Sequence, residues 1–171
     1  IVDPATPAGG NATLSPLVNC SAVTASGTSV TYTGIPSWTK RITVMFKNIG
    51  TNGSADLLVR LGTSGGIIST GYLGGSMITS SGVAASNFTN GFGLYRSMGS
   101  GYAIHGMMTI CLIESSTNSW VASGAFAQSD QARGSYMGGS IALSGVATQV
   151  QILTGNGADV FNTGTLNIYY E

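Results

Sequence analysis

Residues 34–62, GIPSWTKRITVMFKNIGTNGSADLLVRLG, contain two segments in which apolar and polar side chains alternate. Alternation with a period of two is typical of a β-strand that buries one face, so residues 41–47 and 56–61 are predicted to be strands. Between them, Asn52-Gly53 is a strong turn signal, because both central positions of a type I′ turn require positive φ. The stretch is therefore predicted to form a β-hairpin.

The predicted hairpin carries five of the twelve charged residues in the chain, namely Lys40, Arg41, Lys47, Asp56 and Arg60. Basic residues on an edge strand discourage pairing with the sheets of other molecules, so these strands are predicted to lie at a solvated edge. The alternative is a contact between subunits, where charges would fix the register because mispaired charges are costly when they are partly desolvated.

The rest of the chain repeats the strand pattern between clusters of turn residues. No window of a dozen residues has the apolar spacing of a helix, and at most residues 127–133 could form a helical turn. Many short strands without helices predict an all-β fold, either a sandwich or a barrel. Further strands are predicted at 29–33, 66–73, 102–114, 119–126, 135–143, 147–154 and 164–170, with SSTNS and GNGAD as candidate hairpin turns.

The predicted strand at 102–114 is apolar on both faces, whereas an antiparallel sandwich strand normally has one wet face. One face, which includes Ile104, Met108 and Ile110, is expected to cover the core. The opposite face carries His105, Met107 and Cys111, which are predicted to contact a partner subunit; the alternative is a central strand that a loop covers.

The composition limits the classes of function that are expected for this chain. The chain of 171 residues suits one domain, and only 7% of its residues are charged, against roughly 25% in an average soluble domain. The formal net charge is zero, so no nucleic acid partner is expected, and no apolar run is long enough for a transmembrane helix, so no membrane insertion is expected. Cys20 and Cys111 are predicted to be free thiols, since two cysteines do not make a disulfide framework.

Residues 1–27 are rich in Pro, Ala, Thr, Ser and Gly and have weak apolar periodicity. They are predicted to form an extended arm that joins a sandwich domain, residues 28–171, to something upstream. Since the sequence begins at Ile1, it is expected to be a processed chain or a piece of a longer one.

Catalysis and metal binding have little support in the sequence, so no catalytic residue, metal or cofactor is predicted. A glycan hydrolase needs two carboxylates about 5–10 Å apart; Glu114 and Asp130 could approach each other, but no feature of the sequence brings them together. Ser64 lies in a G-x-S-x-G match that a strand pattern follows, where a serine hydrolase requires a helix. Asn156 and Asp159 could offer oxygen atoms to calcium, but turn chemistry explains both residues.

With catalysis and metal binding set aside, the remaining class of function is the binding of a ligand. Sugars are recognised by aromatic faces against their C–H groups, and by amides, charged groups and backbone atoms that hydrogen-bond their hydroxyls. The predicted loops offer such residues, and the candidate receptor-binding set is Tyr72, Asn87, Asn90, Tyr95, Arg96, Asp130, Arg133 and Tyr136.

Several segments resemble the C-terminal domains of tail-fibre proteins of tailed bacteriophages, over roughly residues 29–171. The segments are GIPSWTKRITVMF and TNGSADLLVRLG, then STGYLG, NGFGLYR, HGMMTICLI and NSWVASG, and finally ALSGVATQVQILTGNGADVFNTGTLNIYYE. The last segment is the most specific part of the resemblance, and residues 75–101 are the least specific.

The resemblance implies an extracellular virion protein without catalytic residues, usually a homotrimer, whose arm leads to a fibre shaft and other tail proteins. The predicted protein is thus an antiparallel β-sandwich of jelly-roll type that binds a bacterial surface receptor, most simply a glycan, for host attachment. Two alternatives stay open, a structural virion domain with no receptor of its own and a surface-glycan hydrolase.

Overall fold

The computed structural model describes residues 16–95 and 98–171. Within these ranges the chain forms no helix, and none of the described residues builds a helix that is long and apolar enough to cross a membrane. The strands are β1 Val18–Asn19, β2 Val23–Thr24, β3 Ser29–Thr33, β4 Arg41–Thr51, β5 Leu57–Thr63, β6 Gly66–Ile67, β7 Leu73–Thr79, β8 Val83–Phe88, β9 Phe92–Tyr95, β10 Ile104–Glu114, β11 Ser119–Gln128, β12 Arg133–Ala142, β13 Gln149–Thr154 and β14 Phe161–Tyr170.

The strands form two antiparallel sheets, which confirms the predicted all-β fold. The large sheet has the order β1-β14-β4-β10-β11-β12-β7-β8, with β2 also paired to β14. The small sheet has the order β3-β13-β5-β6, with β9 also paired to β5. One apolar core contains side chains of both sheets, including Ile42 and Val44 from β4 and Val59 from β5, so the arrangement is that of a β-sandwich.

The opening stretch does not form the predicted hairpin. Strand β4 belongs to the large sheet and β5 to the small sheet, so residues 52–56 carry the chain from one sheet to the other. Neither Asn52 nor Gly53 has the positive φ of a type I′ turn. The Asn52 side chain accepts a hydrogen bond from the Val160 amide at 2.8 Å, and Asp159 Oδ2 accepts one from Ala55 N at 2.8 Å. These contacts tie the turn to the β13–β14 connection.

The prediction of a solvated edge is also wrong, because β4 lies between β14 and β10, and β5 lies between β13 and its other neighbours. The charges serve local contacts instead. Arg41 forms an ion pair with Glu171, whose carbonyl oxygen also accepts hydrogen bonds from the amides of Lys40 and Arg41 at 2.7 and 2.8 Å. Arg60 Nε donates to the carbonyl of Asn90 at 2.6 Å.

The predicted division at residue 27 does not separate an arm from the sandwich. Strands β1 and β2 pair with β14, and Ala25 is buried in the core. Residues 16–27 therefore belong to the sandwich, because their few apolar side chains cover the edge of the large sheet. Residues 1–15 lie outside the described residues, so the rest of the arm stays a prediction.

The other strand predictions have mixed outcomes. The SSTNS turn closes the β10–β11 hairpin as predicted. Residues 127–133 contain no helical turn, because they span the end of β11, the turn at 129–132 and the first residue of β12. GNGAD joins strands of different sheets and so does not close a hairpin. The strand predicted at 66–73 is divided between β6 and β7, and β8 and β9 were missed because residues 75–101 lack clear alternation.

Candidate functional site

The two sheets present different surfaces to solvent. The small sheet exposes polar side chains, among them Thr31 and Gln151, which are hydrogen-bonded to each other at 3.1 Å. On the large sheet, the outward side chains of β10, β11, β12, β7 and β8 form what we call the outer face. Apart from Glu114 at the end of β10, this face carries no Asp, Glu, Lys or Arg. Its exposed large apolar residues are Leu73, Met77, Val83, Met107, Ile113, Val121 and Tyr136.

A shallow channel, which we call the outer groove, crosses this face. It consists of hollows of about 340, 600 and 440 Å³ that join end to end. The first two share Asn87 and Gly138, and the second and third share Leu73 and Ser140. Tyr136 lines one end of the groove and Val121 lines the other. The groove is therefore a continuous, uncharged depression on β8, β7, β12 and β11.

Glycines form the floor of the groove, because Gly74 pairs with Gly139 and Gly75 pairs with Gly138 on neighbouring strands. At three of the positions the close approach of the backbone requires glycine: a Cβ would lie 2.6 Å from Gly138 O at Gly74, 2.9 Å from Ser86 O at Gly75 and 3.0 Å from Leu73 O at Gly139. At Gly138 a Cβ would meet nothing nearer than Ala122 O at 3.9 Å. Packing therefore does not demand glycine at residue 138, where the missing side chain leaves the groove open.

Two of the predicted receptor-binding residues meet in this groove. Tyr136 is 59% exposed and points away from the core, directly opposite Met77 on β7. Asn87 is exposed on β8, opposite Gly75. An aromatic ring and an amide thus flank a strip of backbone with Ser140 nearby, which is a chemistry suited to sugar C–H groups and hydroxyls.

Tyr72 and Tyr95 were predicted to bind a receptor, and the structure places both in the core. Tyr72 is 1% exposed, its ring packs edge-on against Phe92 with centroids 4.9 Å apart, and its hydroxyl accepts a hydrogen bond from Leu61 N at 2.8 Å. Burial raises the pKa of Tyr72 to about 12. Tyr95 is equally buried and donates to Gln128 Oε1 at 2.8 Å. Neither side chain can contact a receptor in this structure.

Asp130 and Arg133 lie together at the β11–β12 turn, outside the groove. The two carboxylate oxygens of Asp130 accept hydrogen bonds from Ala103 N and Gln128 Nε2, each at 2.9 Å, and the Gln128 contact is the main reason that the pKa of Asp130 is lowered. Arg133 Nη1 donates to Tyr102 Oη at 2.7 Å, and its guanidinium lies 5.7 Å from the centre of that ring. These side chains fasten the turn to the Tyr102 segment.

The remaining predicted binding residues do not extend the groove. Asn90 is exposed in the β8–β9 connection, and its carbonyl accepts the bond from Arg60 described above. Arg96 lies outside the described residues. The structure therefore brings Asn87 and Tyr136 together, separates Asp130 and Arg133 from them, and buries Tyr72 and Tyr95.

The residues predicted to contact a partner subunit, His105, Met107 and Cys111, lie on the outer face at β10. Met107 is 57% exposed and stands opposite Met45 on β4 and Ala125 on β11. His105 Nδ1 accepts a hydrogen bond from Asn48 N at 3.3 Å, and its Nε2 lies 3.1 Å from Ser129 Oγ. Cys20 and Cys111 are free thiols, as predicted.

The geometry does not support the catalytic and metal hypotheses. Glu114 ends β10 and Asp130 binds Ala103 just before β10 begins, so the two carboxylates are about 30 Å apart. Ser64 lies in the β5–β6 turn, with a strand after it. Asn156 Oδ1 accepts the amides of Ala158 and Asp159 at 3.0 and 2.9 Å, which is ordinary turn chemistry. The described residues contain no group of three or more His, Cys, Asp or Glu side chains arranged for a metal ion.

No protein-family model matches this sequence, and neither a curated protein nor a solved structure was found to match it.

Proposed function

We propose that this chain is the receptor-binding domain of a bacteriophage tail fibre and attaches the virion, outside the cell, to a glycan on the bacterial surface. The observation that carries the proposal is the outer groove, in which the exposed ring of Tyr136 and the amide of Asn87 flank an uncharged glycine floor. The resemblance of residues 29–171 to tail-fibre domains supports the same role. No catalytic group, cofactor or nucleic acid takes part in it.

The proposed assembly is a homotrimer of jelly-roll-type sandwiches. The chain passes repeatedly between two antiparallel sheets, which supports the jelly-roll type. The β10 side of the outer face, where Met107 is exposed between His105 and Cys111, supports a contact with another copy, because large exposed apolar patches mark interaction surfaces. The groove on β12, β7 and β8 stays open, and three weak sites on one particle gain affinity through avidity. The arm would contact other tail proteins.

A structural virion domain is the second candidate, and one observation favours it. Exposed apolar side chains extend beyond the groove to Val83 on β8 and to Met107 on β10. If a partner protein covered the whole outer face, the groove would be closed and no receptor could enter. A glycan hydrolase has no comparable support, because Glu114 and Asp130 lie at opposite ends of β10.

The fluorescently labelled domain can test the proposal on a panel of bacterial strains, with bound label and released sugar measured together. We expect saturable binding to a subset of strains without release of sugar. Absence of binding to every strain by protein that circular dichroism shows to be folded would contradict adhesion and favour the structural role. Release of reducing ends would favour a hydrolase.

A further inference from the structure

We infer that the outer groove binds a neutral polysaccharide lengthwise, with consecutive sugar units lying between Tyr136 and Val121. The inference rests on the proposed adhesive function and adds to it the place of the site, the charge class of the ligand and the need for more than one sugar unit.

The charge class follows from the lining of the groove. None of the side chains that line its hollows is an Asp, Glu, Lys, Arg or His. An acidic polysaccharide would place carboxylates or phosphates on this surface, where they would lose water without gaining a cationic partner. The described arginines are engaged elsewhere, since Arg41 pairs with Glu171, Arg60 binds Asn90 and Arg133 binds Tyr102. A neutral ligand therefore fits this surface and an acidic one does not.

The length of the ligand follows from the shape of the groove. Tyr136 and Ala142 line opposite ends and lie six residues apart on β12, which corresponds to about 20 Å along an antiparallel strand. A monosaccharide would occupy one hollow and leave the others to solvent. An oligosaccharide can stack one ring on Tyr136, cross the glycine floor and cover Leu73 and Val121 at the other end.

Polar groups line the groove along its length. Asn87 lines the first two hollows, Thr89 lines the second and Ser140 lines the second and third. Amide and hydroxyl groups can both donate and accept hydrogen bonds, as sugar hydroxyls require. Strand packing requires three of the four floor glycines, and only at Gly138 is the side chain missing without such a need. The amide and hydroxyl groups, together with the space above Gly138, fit a hydroxylated chain.

Gly138 provides the sharpest test. Its φ lies outside the left-handed region, and a Cβ there would make only an ordinary contact with Ala122 O at 3.9 Å, so Gly138→Val should place its side chain in the middle of the groove. Gly145→Val is a matched control, because Gly145 lies outside the groove and a Cβ there would also meet nothing nearer than 3.9 Å, at Thr63 Cγ2.

The experiment measures dissociation constants of the full chain for two sets of purified bacterial surface polysaccharides, one with neutral repeating units and one with uronic acids or phosphates. We expect binding to at least one neutral polysaccharide, no binding to the acidic set, and no measurable binding to the constituent monosaccharides. Gly138→Val should weaken the binding at least tenfold, whereas Gly145→Val should bind like the parent chain.

Light scattering of each variant distinguishes the alternatives. Binding that is restricted to acidic polysaccharides would overturn the inference and leave the proposed adhesion intact. A chain that binds neither polysaccharides nor cells would overturn both the inference and the proposed adhesion. A Gly138→Val variant that binds normally but dissociates into smaller particles would show that a second copy covers the groove, which would also overturn the inference.

Discussion

Replacing Gly106 with alanine is expected to lower the free energy of unfolding by about 3–5 kcal/mol, from backbone strain together with overpacking. Such a loss is a large part of the total stability of a typical domain, which is about 5–15 kcal/mol. Gly106 has a φ of +150°, which L side chains rarely adopt. A Cβ at this position would also press directly against the carbonyl oxygen of Ala125 on β11.

The surroundings of Gly106 leave no room for relief. Its neighbours across the sheet are Phe46 on β4 and Phe126 on β11, whose rings pack edge to face with centroids 5.4 Å apart. Beside it, Asn48 has a φ of +57° and the pairing of β10 with β4 shifts register between Ile104 and Gly106, so the ladder is already bulged. Because the opposing atom belongs to the backbone, a rotamer change cannot remove the clash.

Urea denaturation followed by circular dichroism measures this effect. The control is Gly138→Ala on the same large sheet, where a Cβ would make only an ordinary contact with Ala122 O at 3.9 Å and φ is not positive. That variant should be as stable as the parent or slightly more stable, because glycine inside a strand costs roughly 0.5–1 kcal/mol relative to alanine. Equal midpoints for the two variants would show that the bulge at Gly106 is not as described.

Replacing Tyr136 with alanine is expected to weaken binding of the domain to receptive cells at least tenfold, which corresponds to about 1.4 kcal/mol at a single site. The reason is the loss of the exposed ring on which a sugar would stack at one end of the outer groove. Because the side chain is 59% exposed, its removal should leave the unfolding midpoint nearly unchanged.

Two further variants show whether the effect comes from the aromatic ring of Tyr136 and from its position in the groove. Tyr136→Phe keeps the aromatic surface and should retain most of the binding. Tyr169→Ala removes a partly exposed tyrosine of the large sheet outside the groove, on β14, and should bind like the parent chain. Cell binding is measured by flow cytometry. If Tyr136→Ala and Tyr169→Ala bind cells equally well, the receptor contact lies outside the Tyr136 end of the groove.

The sequence predicted which faces are buried better than it predicted which sheet each strand joins. Alternation identifies the inward side of β4 and β5, and Ile42, Val44 and Val59 are indeed buried. Leu58, on the other side of β5, is buried as well, in a small second cluster with Phe88 and Leu153. The pattern also does not separate a hairpin from two strands of opposite sheets, because both arrangements turn alternate residues toward the core. The two arrangements differ in their distant partners, since β4 pairs with β10 and β14 whereas β5 pairs with β13.

The groove was only partly predictable for the same reason. Asn87 and Tyr136 line the same hollow because β7 pairs with both β8 and β12, and a single sequence does not reveal this register. Tyr72 and Tyr95 are flanked in the sequence by Gly and Ser, as Tyr136 is, yet they fill the core next to Phe92 and Gln128. Composition indicated residues suited to binding sugars, but only the packing separates those that line a surface from those that are buried.

A crystal structure of the domain with an oligosaccharide from a neutral polysaccharide that it binds would show whether the outer groove is the ligand site. We expect sugar rings to lie over Gly138, with one ring against Tyr136 and hydroxyls within hydrogen-bonding distance of Asn87. Sugar bound at the Arg133–Tyr102 turn or on the small sheet, with the groove empty or closed by another copy of the chain, would contradict a ligand site in the groove.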